Sequence, residues 1–417
     1  MGGGALSRAG PSAFVSSHRW CHSHSAAPRA IAGLLLAVTG CGQQTADAPA
    51  LSTHIDTVAG VMRVSNSGTA PERQLRPVLT VGSAGALGEP ADDEFGRITS
   101  VGLSPSGDLF VADQLRSEIR AFGPDGQLKL VIGRRGQGPG EFLALYSLAW
   151  VGQTLLALDY GNGRIARIGA DGSWLGQYAA PGRVSGPATM LRLYAVGPGE
   201  VYAWSLVAEP EGGRRTYVRY GPSGIESAIP QAVWPANDRS HIVCRRPGEI
   251  SFFDIPYAPT FRQHPAPGNR IAVVWTAEYR IAFLSAEGDT VRIVERTHTP
   301  VPLSAVEWHA VSEAFRSFRD ERPGASCEPR SPSKPDVKPP VKDLLFDVQG
   351  RMWVEVTSAG GDRWEIFDPE GALLFSLPAF RRSDDLAPFL GRRHLAYVTA
   401  DSLGVQRVHV SQFGPPP

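Results

Sequence analysis

Neither sign of charge predominates in this chain of 417 residues: lysine plus arginine number 41, as do aspartate plus glutamate. That balance removes the electrostatic footprint expected of a protein that binds nucleic acid or lies on an anionic membrane surface. No long membrane-spanning run offers itself either. The apolar stretch Ala30 to Val38 stops well short of the ~20 residues a helix needs to cross a bilayer. Catalytic signatures are missing as well: there is no H-E-x-x-H, no G-x-S-x-G elbow and no G-x-x-x-x-G-K-S/T phosphate loop. Asparagine is confined to Asn66, Asn162, Asn237 and Asn269, and cysteine to Cys21, Cys41, Cys244 and Cys327. Together these gaps leave fold class, address and binding surfaces as the readable content.

Glycine and proline are abundant, at 46 and 35 residues, without a short repeat, which points to many tight turns between short strands. Val101 to Phe142 is the clearest case. Alternating apolar runs at Ile98 to Leu103, Leu109 to Ala112, Ile119 to Phe122 and Leu128 to Ile132 are separated by turn clusters such as Asp125-Gly126. That reads as a four-stranded antiparallel meander. Ser147 to Gln177 repeats it, with Asp113 matching Asp159, Ile119 matching Ile165 and Asp125-Gly126 matching Asp171-Gly172. Looser copies follow over Leu191 to Ile229, Asn269 to Val294, Asp343 to Leu377 and His394 to Phe413. A repeat of this length indicates β-propeller blades, because one such sheet cannot bury both faces alone.

The expected fold is therefore all-β: a six-bladed β-propeller of four-stranded antiparallel blades. The last copy lacks an outer strand, and Asp56 to Val64 has the form of one, so an N-terminal strand there is expected to close the ring. A seventh, degenerate blade between Ile229 and Tyr257 is the alternative count.

Asp159-Tyr160-Gly161-Asn162-Gly163-Arg164-Ile165 resembles the D-x-x-N-x-R-I signature of NHL repeats, and Gly133 to Phe142 is similar to their G-x-x-G-x-G-P-G-E-F connector. The first copy departs from this, with Arg116 and Glu118 where the family has asparagine and arginine, and later copies keep only the rhythm. The resemblance implies a six-bladed propeller related broadly to secreted NHL and gluconolactonase-like proteins, and it implies no single activity.

Residues 1–40 read as an export signal, with Arg29 before a short apolar core and small residues at its end. Val38-Thr39-Gly40-Cys41 resembles the bacterial lipobox, which makes Cys41 the expected lipidation site. Residues 41–55 then form a polar tether and 56–413 the propeller. The expected location is the bacterial cell envelope, reached by export and held through the lipid anchor alone. After export Cys244 and Cys327 would meet an oxidising compartment, where a disulfide between them is more favourable than two separate thiols.

An insertion over 303–341 separates blades four and five. Ser304 and Glu307 form a capping box, and Trp308, Val311, Phe315 and Phe318 recur on one helical face before a proline-rich loop. Pro256 to Gly268 reads as an irregular segment near the rim.

Asp113 and Asp159 end strands, and the expected role of each is to accept hydrogen bonds from turn amides. Asn162 and Arg164 are expected to tie neighbouring strands. No cofactor is expected. The favoured function is a binding or scaffolding module, monomeric, taking a protein, small-molecule or glycan ligand at the rim loops and central channel. The alternative is a calcium-dependent lactonase or esterase of the gluconolactonase kind, which needs inward Glu, Asn, Asn and Asp oxygen ligands. A zinc lyase on this scaffold would need convergence among His241, His264, His298, His309, His394 and His409.

Overall fold

The computed structural model describes residues 50–83, 91–180, 192–209, 212–221, 223–235 and 238–414. The expected signal, Cys41 and most of its tether, together with Cys21 and Asn237, lie outside these residues.

The described residues are mostly strand, with α1, Ala305–Asp320, the one α-helix among them. Successive four-stranded antiparallel sheets follow one another along the chain. The first is Ile98–Leu103, Leu109–Asp113, Glu118–Phe122 and Leu128–Ile132; the second is Leu145–Val151, Thr154–Asp159, Arg164–Gly169 and Trp174–Ala179. The third is Leu193–Gly197, Glu200–Glu209, Gly212–Gly221 and Gly224–Pro230. The fourth runs Phe261–Ala266, Arg270–Trp275, Arg280–Leu284 and Thr290–Arg296, and the fifth Val341–Phe346, Met352–Val356, Arg363–Phe367 and Leu373–Pro378. Phe389–Leu390, His394–Ala400 and Gln406–Phe413 join Leu75–Val81 in the last. This is the arrangement of a β-propeller.

Turns of the expected chemistry set these meanders. Gly126 and Gly172 close them at φ 81° and 83°, where a Cβ would be strained. The alternation then buries residues between neighbours. Phe110 and Ala112 of the first sheet meet Leu148 and Ala157 of the second, and Leu156 and Ile165 meet Val201 and Val218 of the third. Trp353 and Ile366 pack toward Leu395 and Phe413, while Val398 and Val408 pack against Val101 and Val111. Hydroxyls add a link between first strands, since Ser100 Oγ accepts from Leu148 N at 3.0 Å and Ser147 Oγ accepts from Leu193 N at 2.9 Å.

Two strands differ from the sequence expectation. The N-terminal strand paired with the last sheet is Leu75–Val81, on Gln406–Phe413, and not Asp56 to Val64. The Asp56 to Val64 stretch instead belongs to a hairpin, Ser52–Val58 with Val61–Ser67, whose second strand runs parallel along Thr290–Arg296 at the edge of the fourth sheet. Between the two, Arg73 N donates to Ser376 O at 2.9 Å and Ser376 N to Pro71 O at 3.0 Å. The N-terminal segment thus crosses three successive sheets as a strap. The second difference is Phe261–Ala266, the first strand of the fourth sheet, which falls inside the supposed irregular segment.

The region between Ile229 and Tyr257 holds a hairpin, His241–Arg246 and Glu249–Asp254, completed by Ser326–Glu328 into a three-stranded sheet. Cys244 and Cys327 are register partners in it and form a disulfide at a sequence separation of 83, and the intervening segment holds the whole fourth sheet and α1. The Ser304–Glu307 capping box starts α1, which buries Val311 and Phe315. Phe315 and Phe318 lie 5.0 and 5.4 Å from the Phe253 ring, so the helix covers this small sheet.

Asp113 is fully buried and accepts from Gly96 N, Arg97 N and Arg116 N at 2.7, 3.0 and 3.2 Å. Asp159 accepts from Leu143 N and Ala144 N at 3.2 and 3.1 Å, from Asn162 Nδ2, and pairs with Arg164 Nε at 3.4 Å. Asn162 also donates to Gly136 O, and Arg164 to Gln137 O, Gly138 O and Glu141 O. These side chains pin the glycine-rich connector rather than only tying strands. In the first sheet Arg120 stands in for the missing arginine, donating to Asp92 O at 2.6 Å and Glu94 O at 3.0 Å. Arg164→Met is expected to destabilise by about 2 kcal/mol, because buried carbonyls lose their donor and Asp159 loses its counterion. A urea midpoint unchanged from wild type would contradict that role.

One further buried cluster joins the fourth and fifth sheets. Glu365, fully buried, accepts from Tyr279 Oη at 2.6 Å and pairs with Arg296 Nε at 3.0 Å and Arg363 Nη2 at 2.7 Å.

Candidate functional site: a central polar cavity

The first strand of every four-stranded sheet contributes to one cavity of about 920 Å³. Its wall is formed where these strands begin, at Thr99, Tyr146, Arg192, Arg262, Lys342 and Phe389, together with the loop carrying Phe380 to Asp385. A second cavity of about 520 Å³ opens past the other ends of the same strands. Trp150, Val348 and Phe389 line both, so they form the waist between the two. Gly102 lies against this waist: a Cβ there would sit 3.5 Å from the Trp150 ring and 3.9 Å from Phe389.

The charged residues of the wall other than Arg192 fall into two groups. Arg382 pairs with Asp343 at 2.7 Å and Glu355 at 3.5 Å, and Lys342 with Asp362 at 2.6 Å and Glu355 at 3.5 Å. Burial pulls the Arg382 and Lys342 pKa values down, but these carboxylates outweigh it and hold both above their ordinary range. Asp254, Arg262, Arg381, Asp384 and Asp385 are exposed at the mouth.

His264 is the buried titratable group on this wall. Its Nδ1 lies 2.7 Å from Pro265 O, which can only accept, so Nδ1 carries the proton. Nε2 is then a lone pair, and it accepts from Arg192 Nη2 at 3.1 Å. Burial first, and the Arg192 charge second, push the imidazole down to about 3, so it is neutral at physiological pH. Arg192 in turn stacks over Tyr194, its Cζ 4.3 Å from the ring centre, and the Tyr194 and His264 rings meet edge to face at 5.0 Å.

The remaining histidines do not converge. His241 meets the Phe252 ring edge to face and His298 bonds Thr357 O. His309 is exposed on α1 near Glu313, His394 lines the smaller cavity, and His409 sits between Thr80 and Thr399. Among the described residues no group of histidine, cysteine, aspartate or glutamate is arranged to hold a metal ion. Asn66 bonds Gly371 O and Leu373 N, Asn162 holds the connector, and Asn269 Oδ1 accepts from Ser227. Asp113, Asp159, Asn162 and Arg164 likewise lie away from the cavity wall.

Arg192, Arg382 and Lys342 belong to no oxygen-ligand or imidazole-ligand pattern, so no motif marks them in the sequence. The signal that could have found them is position. Arg192 immediately precedes the first strand of its sheet, and Lys342 is the second residue of its own.

Fold and site together define the class as an all-β propeller with a polar, partly charged central cavity. No protein-family model matches the chain, and no curated protein matches it. Among solved structures it is similar to virginiamycin B lyase from Staphylococcus aureus at 11% identity and TM-score 0.35, covering 87% of this chain and 99% of that one. A member of the DUF4221 family from Bacteroides vulgatus matches at 11% identity and TM-score 0.42, covering 83% and 99%. A luciferin-regenerating enzyme matches at 12% identity and TM-score 0.34, covering 81% and 95%. None of these assigns an activity to this chain. Among the described residues no helix is long and apolar enough to cross a membrane.

Proposed function

We propose that this chain is an envelope-tethered, six-bladed propeller lipoprotein that binds a ligand or partner in its central cavity. Five four-stranded sheets and a sixth whose four strands are extended by the N-terminal hairpin, an N-terminal strand completing the last of them, and apolar packing between the last and the first support one closed ring. The repeat Val101 to Gln177 supports an NHL-like origin through the Asp159–Asn162–Arg164 hold on its connector. The Val38 to Cys41 motif supports lipidation at Cys41, with the polar residues after it as the tether.

The observation that carries the binding reading is the 920 Å³ cavity into which all six first strands feed polar or aromatic side chains. Its size suits a small molecule or an inserted peptide segment. A photo-crosslinking residue placed at Arg381, on the mouth, is expected to capture a discrete species in intact envelopes. The same residue at Leu115, 67% exposed and away from the cavity, is expected to capture none of it. Matching adducts at both positions, or none at Arg381, would remove the reading. Metabolic labelling with a lipid precursor tests the anchor separately, and Cys41→Ala is expected to abolish incorporation.

A further inference from the structure

We infer that the larger cavity takes a small organic carboxylate with an apolar body, its carboxylate held by Arg192. This deepens the binding reading above and rests on it. Each of the other half-buried or hydrogen-bonded cations of the wall already has an acidic partner: Arg382 is held by Asp343 and Glu355, and Lys342 by Asp362 and Glu355. Arg192 has none among the described residues. Its polar contact is with His264 Nε2, and that imidazole is neutral because Nδ1–H is committed to Pro265 O.

A guanidinium carries five N–H donors in a planar fork, and His264 engages one nitrogen of it. Stacking on Tyr194 fixes the plane of the fork, so less freedom is lost when an acceptor arrives. Two parallel N–H···O bonds to a planar carboxylate are the geometry that such a fork favours. Away from the mouth, one unpaired positive charge matches one negative charge. A phosphate or a polyanion would call for further cations, and Arg382 and Lys342 are already neutralised by their carboxylates. The acids of the deep wall are likewise spent, so a cationic ligand finds no free partner there.

The body of the ligand is read from the waist. Trp150, Leu148 and Phe389 give that end of the cavity an apolar surface, and Trp150 Nε1–H is buried with no protein acceptor. An aromatic or aliphatic chain extending from the carboxylate would cover this surface.

Isothermal titration of the full chain with 3-phenylpropanoate and with its neutral isostere 3-phenylpropanamide tests the inference. The carboxylate is expected to bind at least tenfold more tightly than the amide, the margin of a charge-assisted bidentate contact. Arg192→Met is expected to level the two probes, Arg192→Lys to restore part of the difference, and Arg316→Met, exposed on α1 and away from the cavity, to leave it intact. Equal binding of acid and amide by the wild type overturns the inference while leaving the cavity reading in place. Failure of both probes at millimolar concentration also overturns it, and crosslinking from Arg381 then judges the binding reading alone. The acid-to-amide ratio of the wild type needs no variant, so a misfolded Arg192→Met does not spare the inference.

Discussion

Replacing Glu365 by alanine is expected to cost about 4 kcal/mol, close to half the stability of an ordinary domain. The carboxylate is fully buried and serves Tyr279, Arg296 and Arg363 at once. Removing it leaves the Arg296 charge without its counterion in a site where Nη1 already has no partner, and leaves the Tyr279 hydroxyl without its acceptor. Burial foremost, and the Glu365 charge after it, hold that phenol well above its ordinary pKa, so ionising Tyr279 gives no escape. Glu365→Gln keeps an acceptor for Tyr279 and should cost less than the alanine variant. Chemical denaturation of both, with the slopes compared, is the measurement. Equal and small losses would mean that the cluster contributes little.

The second large effect is a dependence on acid. With His264 at about 3 in the folded state and about 6.5 unfolded, the unfolded chain binds a proton below pH 6.5 that the folded chain refuses. The stabilisation is therefore complete above pH 6.5 and is lost as the pH falls toward 3, at about 1.4 kcal/mol per pH unit. By pH 4 the loss amounts to about 3 kcal/mol. His264→Gln, whose side-chain oxygen can still accept from Arg192, removes this component alone. The difference in stability between wild type and variant should move by that amount between pH 7 and pH 4. Parallel pH profiles for the two proteins would show that His264 does not titrate in this way.

Much of the architecture was legible because its signals are local. Asp-Gly turns, period-two alternation and the Ser304–Glu307 capping box each need only a few neighbouring residues, and the strands and helix they imply are present. The two strands misread share a cause. Leu75–Val81 contains Pro77, and Phe261–Ala266 contains Pro265, and proline reads as a breaker because it donates nothing to a ladder. Both are edge strands, one at the end of the last sheet and the other facing the cavity, so the missing donor costs no ladder bond on the open side. At Pro77 the register also shifts before Leu79.

The cavity was less legible for a different reason. Arg192 and His264 stand 72 residues apart, and Asp343 and Arg382 stand 39 apart, in different sheets or connecting loops. Only the placing of successive sheets around a shared space brings them together. By contrast Asp159, Asn162 and Arg164 serve a turn and the connector just before it, and that short reach is why their motif could be read directly.

The strap over three sheets sets an order of events. Residues 52–81 are synthesised early, but their partners, Thr290–Arg296, Ser376 and Gln406–Phe413, are made much later, the last of them near the end. Until then two sheets keep an open edge and the strap has nothing to grip. Pairings of such long sequence separation form slowly, because loop-closure entropy precedes any gain. The native state is thus withheld until the chain is almost complete, and a chain that stops short of Gln406 leaves Leu75–Val81 without its partner strand.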